Sequence, residues 1–104
     1  MELKIGDRLA LLNQVLPQQG SMVDMMLSRE ITERVKITSE EIQESRLSEN
    51  GGRITWDETL PAKPFEFNEV EMALLLKRVK QLDAEGKITA LALEVCKLIQ
   101  GGGK

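Results

Sequence analysis

The amino-acid sequence predicts an α+β domain, mainly helical and winged-helix-like in its order: three N-terminal helices, a small antiparallel β-hairpin and two C-terminal helices. Three observations carry that expectation. Helix starts recur along the chain, each with a capping residue ahead of an apolar stripe of helical period. Asn50-Gly51-Gly52 interrupts them with the residues of a tight hairpin turn, and the segment beyond it alternates with period two. At 104 residues, 41% hydrophobic and 30% charged, the chain has the length and balance of one globular domain. That domain is expected over 1–100, followed by a flexible glycine-rich tail at 101–104.

The first helix follows Asp7, a capping residue, and carries Leu9, Leu12 and Leu16 on one face until Pro17 ends it. Gln18-Gln19-Gly20 makes a turn. Ser21 then offers a capping oxygen, with Asp24 three residues on, and Val23, Leu27, Ile31 and Val35 form a single stripe at steps of four. Thr38 and Glu41 make a capping box for a short third helix ending near Ser45 or Arg46, bracketed by Ile37 and Ile42 as a hydrophobic staple. Arg53-Ile54-Thr55-Trp56-Asp57 reads as a half-buried strand. Phe65-Glu66-Phe67 reads as a third short strand, confined to a sheet edge by Pro64. Asn68 and Glu71 box the longest helix, with Phe67 placed to staple onto Met72 and Val70, Leu74, Leu75, Val79 and Leu82 on its buried face. Gly86 closes it, and Thr89 opens a last helix through Leu93, Cys96 and Ile99.

Composition narrows the function classes. One Trp, two Phe and no Tyr leave few rings for stacking single-stranded bases, and a net charge of -3 gives no basic footprint for nucleic acid or an anionic membrane. The longest apolar run, Met72 to Leu76, is far below the roughly 20 residues of a membrane span. The acidic start of the sequence does not read as a secretory leader. Cys96 is the single cysteine, so no internal disulfide forms, and the expected compartment is a reducing cytoplasm.

No catalytic constellation emerges. The chain has no histidine, which removes the commonest general base and transition-metal ligand, and leaves Cys96 without the usual activating partner. The glutamates at helix starts are accounted for as caps, no stretch has calcium-loop spacing, and neither glycine tract stands between a strand and a helix as a phosphate cradle would. No metal and no cofactor are expected. The third helix and hairpin sit where a DNA reader would place its recognition helix and wing, with Arg46 and Arg53 as candidate phosphate contacts. Glu40, Glu41 and Glu44 on that helix would meet phosphates with like charge, which argues against nucleic acid. Met22 and Met26 adjoin the core stripe of the second helix, and flexible thioethers suit adaptable binding surfaces. Met22, Met26, Glu40 and Glu44 are therefore the candidate partner-binding residues.

The chain resembles a group of small phage and prophage proteins, through Arg8-Leu9, Leu16-Pro17, Thr38-Ser39-Glu40-Glu41, Arg53-Ile54-Thr55-Trp56, Phe65-Glu66-Phe67, Lys80-Gln81-Leu82-Asp83 and Lys87-Ile88-Thr89. It departs from that group in Gln18-Gln19-Gly20, where an acidic Glu-Gly turn is usual, and in a less aromatic last helix. The resemblance implies a viral or prophage setting in a bacterial host cytoplasm. The expected function is that of a non-enzymatic accessory protein that binds a host or viral protein, for instance to inhibit a host defence or a host enzyme. A helix-turn-helix nucleic-acid-binding regulator is the first alternative and a virion assembly or structural protein the second; a homodimer is compatible with all three.

Overall fold

The computed structural model describes residues 1–102, and four of its five α-helices begin where the capping residues place them. Strand β1 (Glu2–Leu3) leads into α1 (Ile5–Ala10), which continues as a π-helical turn over Leu11–Val15. Then come α2 (Met22–Val35), α3 (Ser39–Ser45), the hairpin strands β2 (Ser48–Asn50) and β3 (Arg53–Thr55), strand β4 (Lys63–Pro64), α4 (Glu69–Ala84) and α5 (Ala90–Gln100). The chain is α+β and mainly helical, in the expected order. The core lies where α1 and its π-turn meet α4 and α5, with α2 closing over α4; Leu11, Val15, Ile31, Val35, Leu75, Val79, Val95 and Ile99 fill it.

Four helices carry the caps read from their sequences, α3 through the reciprocal Thr38–Glu41 box at 3.0 and 3.2 Å. Ser21 Oγ accepts from Asp24 N–H at 3.1 Å, and Thr89 Oγ1 from Ala92 N–H at 3.2 Å. Asn68 and Glu71 form a reciprocal box at 2.8 and 2.9 Å, with Phe67 and Met72 both packed against the core beside it. Asp24 uses its carboxylate differently, on the Lys77 ammonium at 3.0 Å. At the first helix the start falls earlier than Asp7 suggests: Asp7 occupies the third position and accepts the Lys4 N–H at 3.0 Å. Gly86 ends α4 at φ +67°, with the Lys87 N–H reaching Leu82 C=O at 2.9 Å. Gly101 and Gly102 likewise close α5, through bonds to Lys97 and Ile99; the rest of the expected tail, 103–104, lies outside the described residues.

Several apolar positions expected inside are outside. In the first helix Leu9 and Leu12 are only half-buried, whereas Ala10, Leu11, Val15 and Leu16 are buried. The π-turn is the reason. Its Leu16 N–H to Leu11 C=O bond spans five residues, so Ala10 stacks with Val15 and Leu11 with Leu16. Leu16 is extended, at ψ 139°, as the residue before a proline must be. Val23, Val70 and Leu93 are exposed because they lie to the side of the face that each helix packs, even where the same turn is buried at Glu71 and Ala92.

The β-structure is smaller than the sequence suggests. Gly51 and Gly52, at φ +58° and +84°, make a two-residue turn of the primed kind. The expected half-buried strand is instead exposed on both faces and stops at Thr55, since no other element covers the hairpin. The strand expected at 65–67 lies just ahead of that segment, at Lys63–Pro64, antiparallel to Glu2–Leu3. Met1 and Phe65 extend that ladder by exchanging bonds at 2.7 and 2.8 Å. A two-residue strand has no periodicity to read, so β1 left no trace in the sequence.

Helix α3 ends on Arg46 at φ +55°, with the Leu47 N–H bonded to Ile42 C=O at 3.0 Å, the same closure that Gly86 gives α4. The left-handed conformation costs a residue with a Cβ about 1 kcal/mol relative to glycine. Arg46→Gly is expected to raise stability by about 0.5–1 kcal/mol in urea unfolding; a lower midpoint would show that the Arg46 side chain stabilises the fold by more than its backbone strain.

Candidate functional site: a carboxylate clasp and an exposed apolar face

Helix α3 buries no apolar side chain: only Glu41 and Ser45 along it are buried, and Ile42 is exposed. Something other than the hydrophobic effect must hold it to the body. Arg8 does so. It lies on the apolar face of α1, three residues after Ile5 and three before Leu11, and its side chain is almost fully buried. Its guanidinium grips Glu41 in a fork, Nη1 to Oε2 at 2.5 Å and Nη2 to Oε1 at 2.9 Å. The same group caps the end of α2, with Nε donating to Val35 C=O at 2.9 Å and Nη2 to Lys36 C=O at 2.7 Å. The C-terminal carbonyls of a helix carry partial negative charge, so one cation here meets three acceptor groups at once.

Glu41 completes the arrangement as the capping residue of α3. Its Oε1 accepts the Thr38 N–H at 3.0 Å, and its Oε2 also takes the Lys63 ammonium at 2.9 Å. The Phe65 ring lies under the guanidinium, 4.9 Å from Arg8 Cζ. A second clasp repeats the design. Glu71, the capping carboxylate of α4, takes Arg34 of α2 at 2.8 Å, and Arg34 lies 5.6 Å from the centre of the Phe67 ring. Each capping box thus serves as a docking point for an arginine from another helix.

These contacts fix the protonation states. The Arg8 guanidinium, helped by the Thr38 amide and Lys63, holds the Glu41 carboxyl far below the usual carboxylate range against the opposing effect of burial. Burial pushes Glu71 up, but Arg34 and the Asn68 amide outweigh it and hold its carboxyl low. Burial pushes the Cys96 thiol up, and the nearby Asp83 charge adds to the shift. At neutral pH, then, Glu41 and Glu71 are fixed acceptors and Cys96 stays a thiol. Among the described residues no three of His, Cys, Asp and Glu come close enough to hold a metal ion, and no helix is long and apolar enough to cross a membrane.

The residues singled out from the sequence fall in separate places. Glu40 and Glu44 line a groove of about 440 Å³ beside the clasp, with Lys36 and Lys63 on its other walls. Lys36 is paired with Glu33 and Lys63 with Glu41, so the groove's lysines are already matched. Met22 and Met26 lie at the opposite end of α2, a 14-residue helix about 20 Å long. At helical spacing they point away from the buried Ile31 and Val35, and they are 80% and 60% exposed. The four residues therefore do not form one face. Val23, placed in the core from its sequence, is instead 62% exposed beside the two methionines. Arg46 and Arg53 are both exposed, one at the end of α3 and one in the hairpin. Sequence reading missed Arg8, although an arginine spaced like an apolar residue on an amphipathic helix was the available signal.

No family model, curated protein or solved structure matches the chain.

Removing one partner of a buried ion pair leaves the other uncompensated, which costs about 3–5 kcal/mol. Arg8→Ala is expected to destabilise by that order, and Arg8→Met with Glu41→Leu by clearly less than the sum of the two single changes, in a double-mutant cycle read by urea unfolding. Additive effects would mean that the clasp carries no coupling. The pH dependence has a defined sign. A carboxylate with a lowered folded pKa adds stability that is complete above its unfolded value of about 4.3, and this is lost as pH falls through the folded value. Acid unfolding of Glu41→Gln should therefore be less steep below about pH 4 than that of the parent; equal slopes would exclude Glu41 as a source of the acid sensitivity.

Proposed function

We propose that this chain is a non-catalytic phage or prophage accessory protein that binds a host or viral protein through the outer face at the start of α2. One observation carries the reading: Met22, Val23 and Met26 stand exposed together at the start of a helix that is anchored to the core farther along, by Ser28, Ile31 and Val35. Their spacing supplies the i, i+3 and i, i+4 anchors with which a helix seats itself in a groove. Two of the three are thioethers, which adapt to an imperfect surface with little strain. The partner is accordingly a protein that presents an apolar groove, and the mechanism is occlusion: a preformed helix face fills a surface that another molecule would use. Inhibition of a host defence or host enzyme is one form this takes. The phage setting and a bacterial cytoplasm rest on the resemblance carried by the sequence.

A nucleic-acid regulator has less support. Arg46 and Arg53 would have to face phosphates alongside Glu40, Glu44 and Glu49, all exposed on the same helix–hairpin unit. The acidic α3 remains available as a second contact for a protein partner, at a distance from the first.

Binding by the α2 face is tested with Met22→Lys/Met26→Lys, a change at exposed positions that leaves the melting temperature within a few degrees. A partner bound stoichiometrically by the parent, and kept by Glu40→Gln/Glu44→Gln, should be lost from the lysine variant. Retention by the lysine variant refutes the assignment. So does light scattering that finds a parent dimer turned monomer by the same variant, because a second copy would then occupy this face.

A further inference from the structure

A second surface, sharing no residue with the α2 face, has its own chemistry. The start of α1, the loop after β3 and the first turns of α5 enclose a cleft of about 510 Å³. One wall is apolar: Ile5, Leu60 and Leu91 line it, and Trp56 is half-buried there. Trp56 is held by close packing. Its Cζ2 lies so near the Gly6 backbone that a β-carbon at Gly6 would sit 3.0 Å away, with Leu91 at 3.5 Å. Glycine at this position is what lets the indole lie against α1. Around this wall stand four carboxylates, Asp7, Asp57, Glu58 and Glu94, with Lys4 the one cation lining the cleft and Arg46 and Lys97 reaching Asp57 and Glu94 from outside it.

Those carboxylates are only partly used. Asp7 spends Oδ2 on the Lys4 amide, and Asp57 spends Oδ1 on the Thr59 amide and hydroxyl, leaving one oxygen of each uncommitted among the described residues. Glu94 has only a loose contact with Lys97 at 4.0 Å. They are too dispersed to chelate, since no three acidic groups gather as metal ligands would. An apolar, aromatic wall with separated negative charges at its rim matches a ligand that has several spaced cations and apolar side chains between them. Long Lys and Arg stems lie well on an indole face, and their heads reach carboxylates at the rim.

We infer that this cleft is a docking groove for a basic, partly apolar peptide segment of a partner protein, with Trp56 as the platform and Glu58 and Glu94 as charge contacts. The inference shares the partner-binding reading but not the α2 surface, so either can fail without the other.

The single Trp, with no Tyr in the chain, makes Trp56 a clean fluorescence reporter of this cleft alone. The parent is titrated with a twelve-residue peptide alternating Leu with Lys and Arg, with its Glu counterpart, and with spermidine. The basic peptide should shift Trp56 emission saturably, weaken with rising salt, and bind about tenfold less well to Glu58→Gln/Glu94→Gln. Glu40→Gln/Glu44→Gln, on the other acidic surface, should bind as the parent does. An equal response to the acidic peptide, unchanged affinity in the Glu58/Glu94 variant, or no saturation by millimolar peptide overturns the proposal. Spermidine binding as tightly as the peptide also overturns it, by assigning the cleft to small organic cations.

Discussion

The fork between Arg8 and Glu41 is the contact on which the arrangement of the first half of the chain depends. Three elements converge on it: the apolar face of α1, the carbonyl end of α2 and the amide end of α3. A buried guanidinium is tolerable only when its donors are spent, and four of its bonds go to Glu41, Val35 and Lys36. The connector between α2 and α3 is thereby fixed in direction by hydrogen bonds, which are directional, where a hydrophobic contact would leave it free to slide. Because α3 offers no apolar side chain to the core, its position is an electrostatic one.

The second clasp, Arg34 on Glu71, extends the same logic to α4. In both cases a glutamate that satisfies its own helix's first amide has a remaining lone pair facing the body of the protein, and an arginine from an earlier helix takes it. Phe65 and Phe67, neighbours on the strand side, lie against the two guanidinium groups. The segment 63–67 thus ties both clasps to the N-terminal strand. This is economical in an aromatic-poor chain: its two phenylalanines pack on cations as well as on the core. Every buried side-chain nitrogen and oxygen among the described residues has a partner, so the polar interior is closed.

That closure bears on function. The Arg8–Glu41 and Arg34–Glu71 pairs are committed to architecture, and the surface is left with the α2 apolar face and the Trp56 cleft with its carboxylate rim. The hairpin contrasts with both. It buries nothing and projects from α3, so local opening should be easiest there. On the proposed binding role, two chemically different surfaces on one helical body would allow bridging as well as blocking.

By itself the sequence determined what is local. Capping oxygens at Ser21, Thr38, Asn68 and Thr89 placed four helix starts, Gly51-Gly52 set the hairpin turn, and Gly86 closed α4, because each depends on bonds within a few residues of chain. Tertiary structure alone decided what depends on distant partners. The π-turn left Leu9 and Leu12 half-buried at the edge of the core, the pairing of Glu2–Leu3 with Lys63–Pro64 brought residues sixty apart together, and Val23 and Val70 lie beside the faces that their helices pack. Periodicity says which face of a helix is apolar but not how far along that face another element extends. For the same reason Met22 and Met26 were legible as a surface, while their separation from Glu40 and Glu44 along α2 was not. Arg8 sits at the boundary: its place on an apolar stripe was written in the sequence, but only the fold supplied Glu41 and the two carbonyls that make its burial possible.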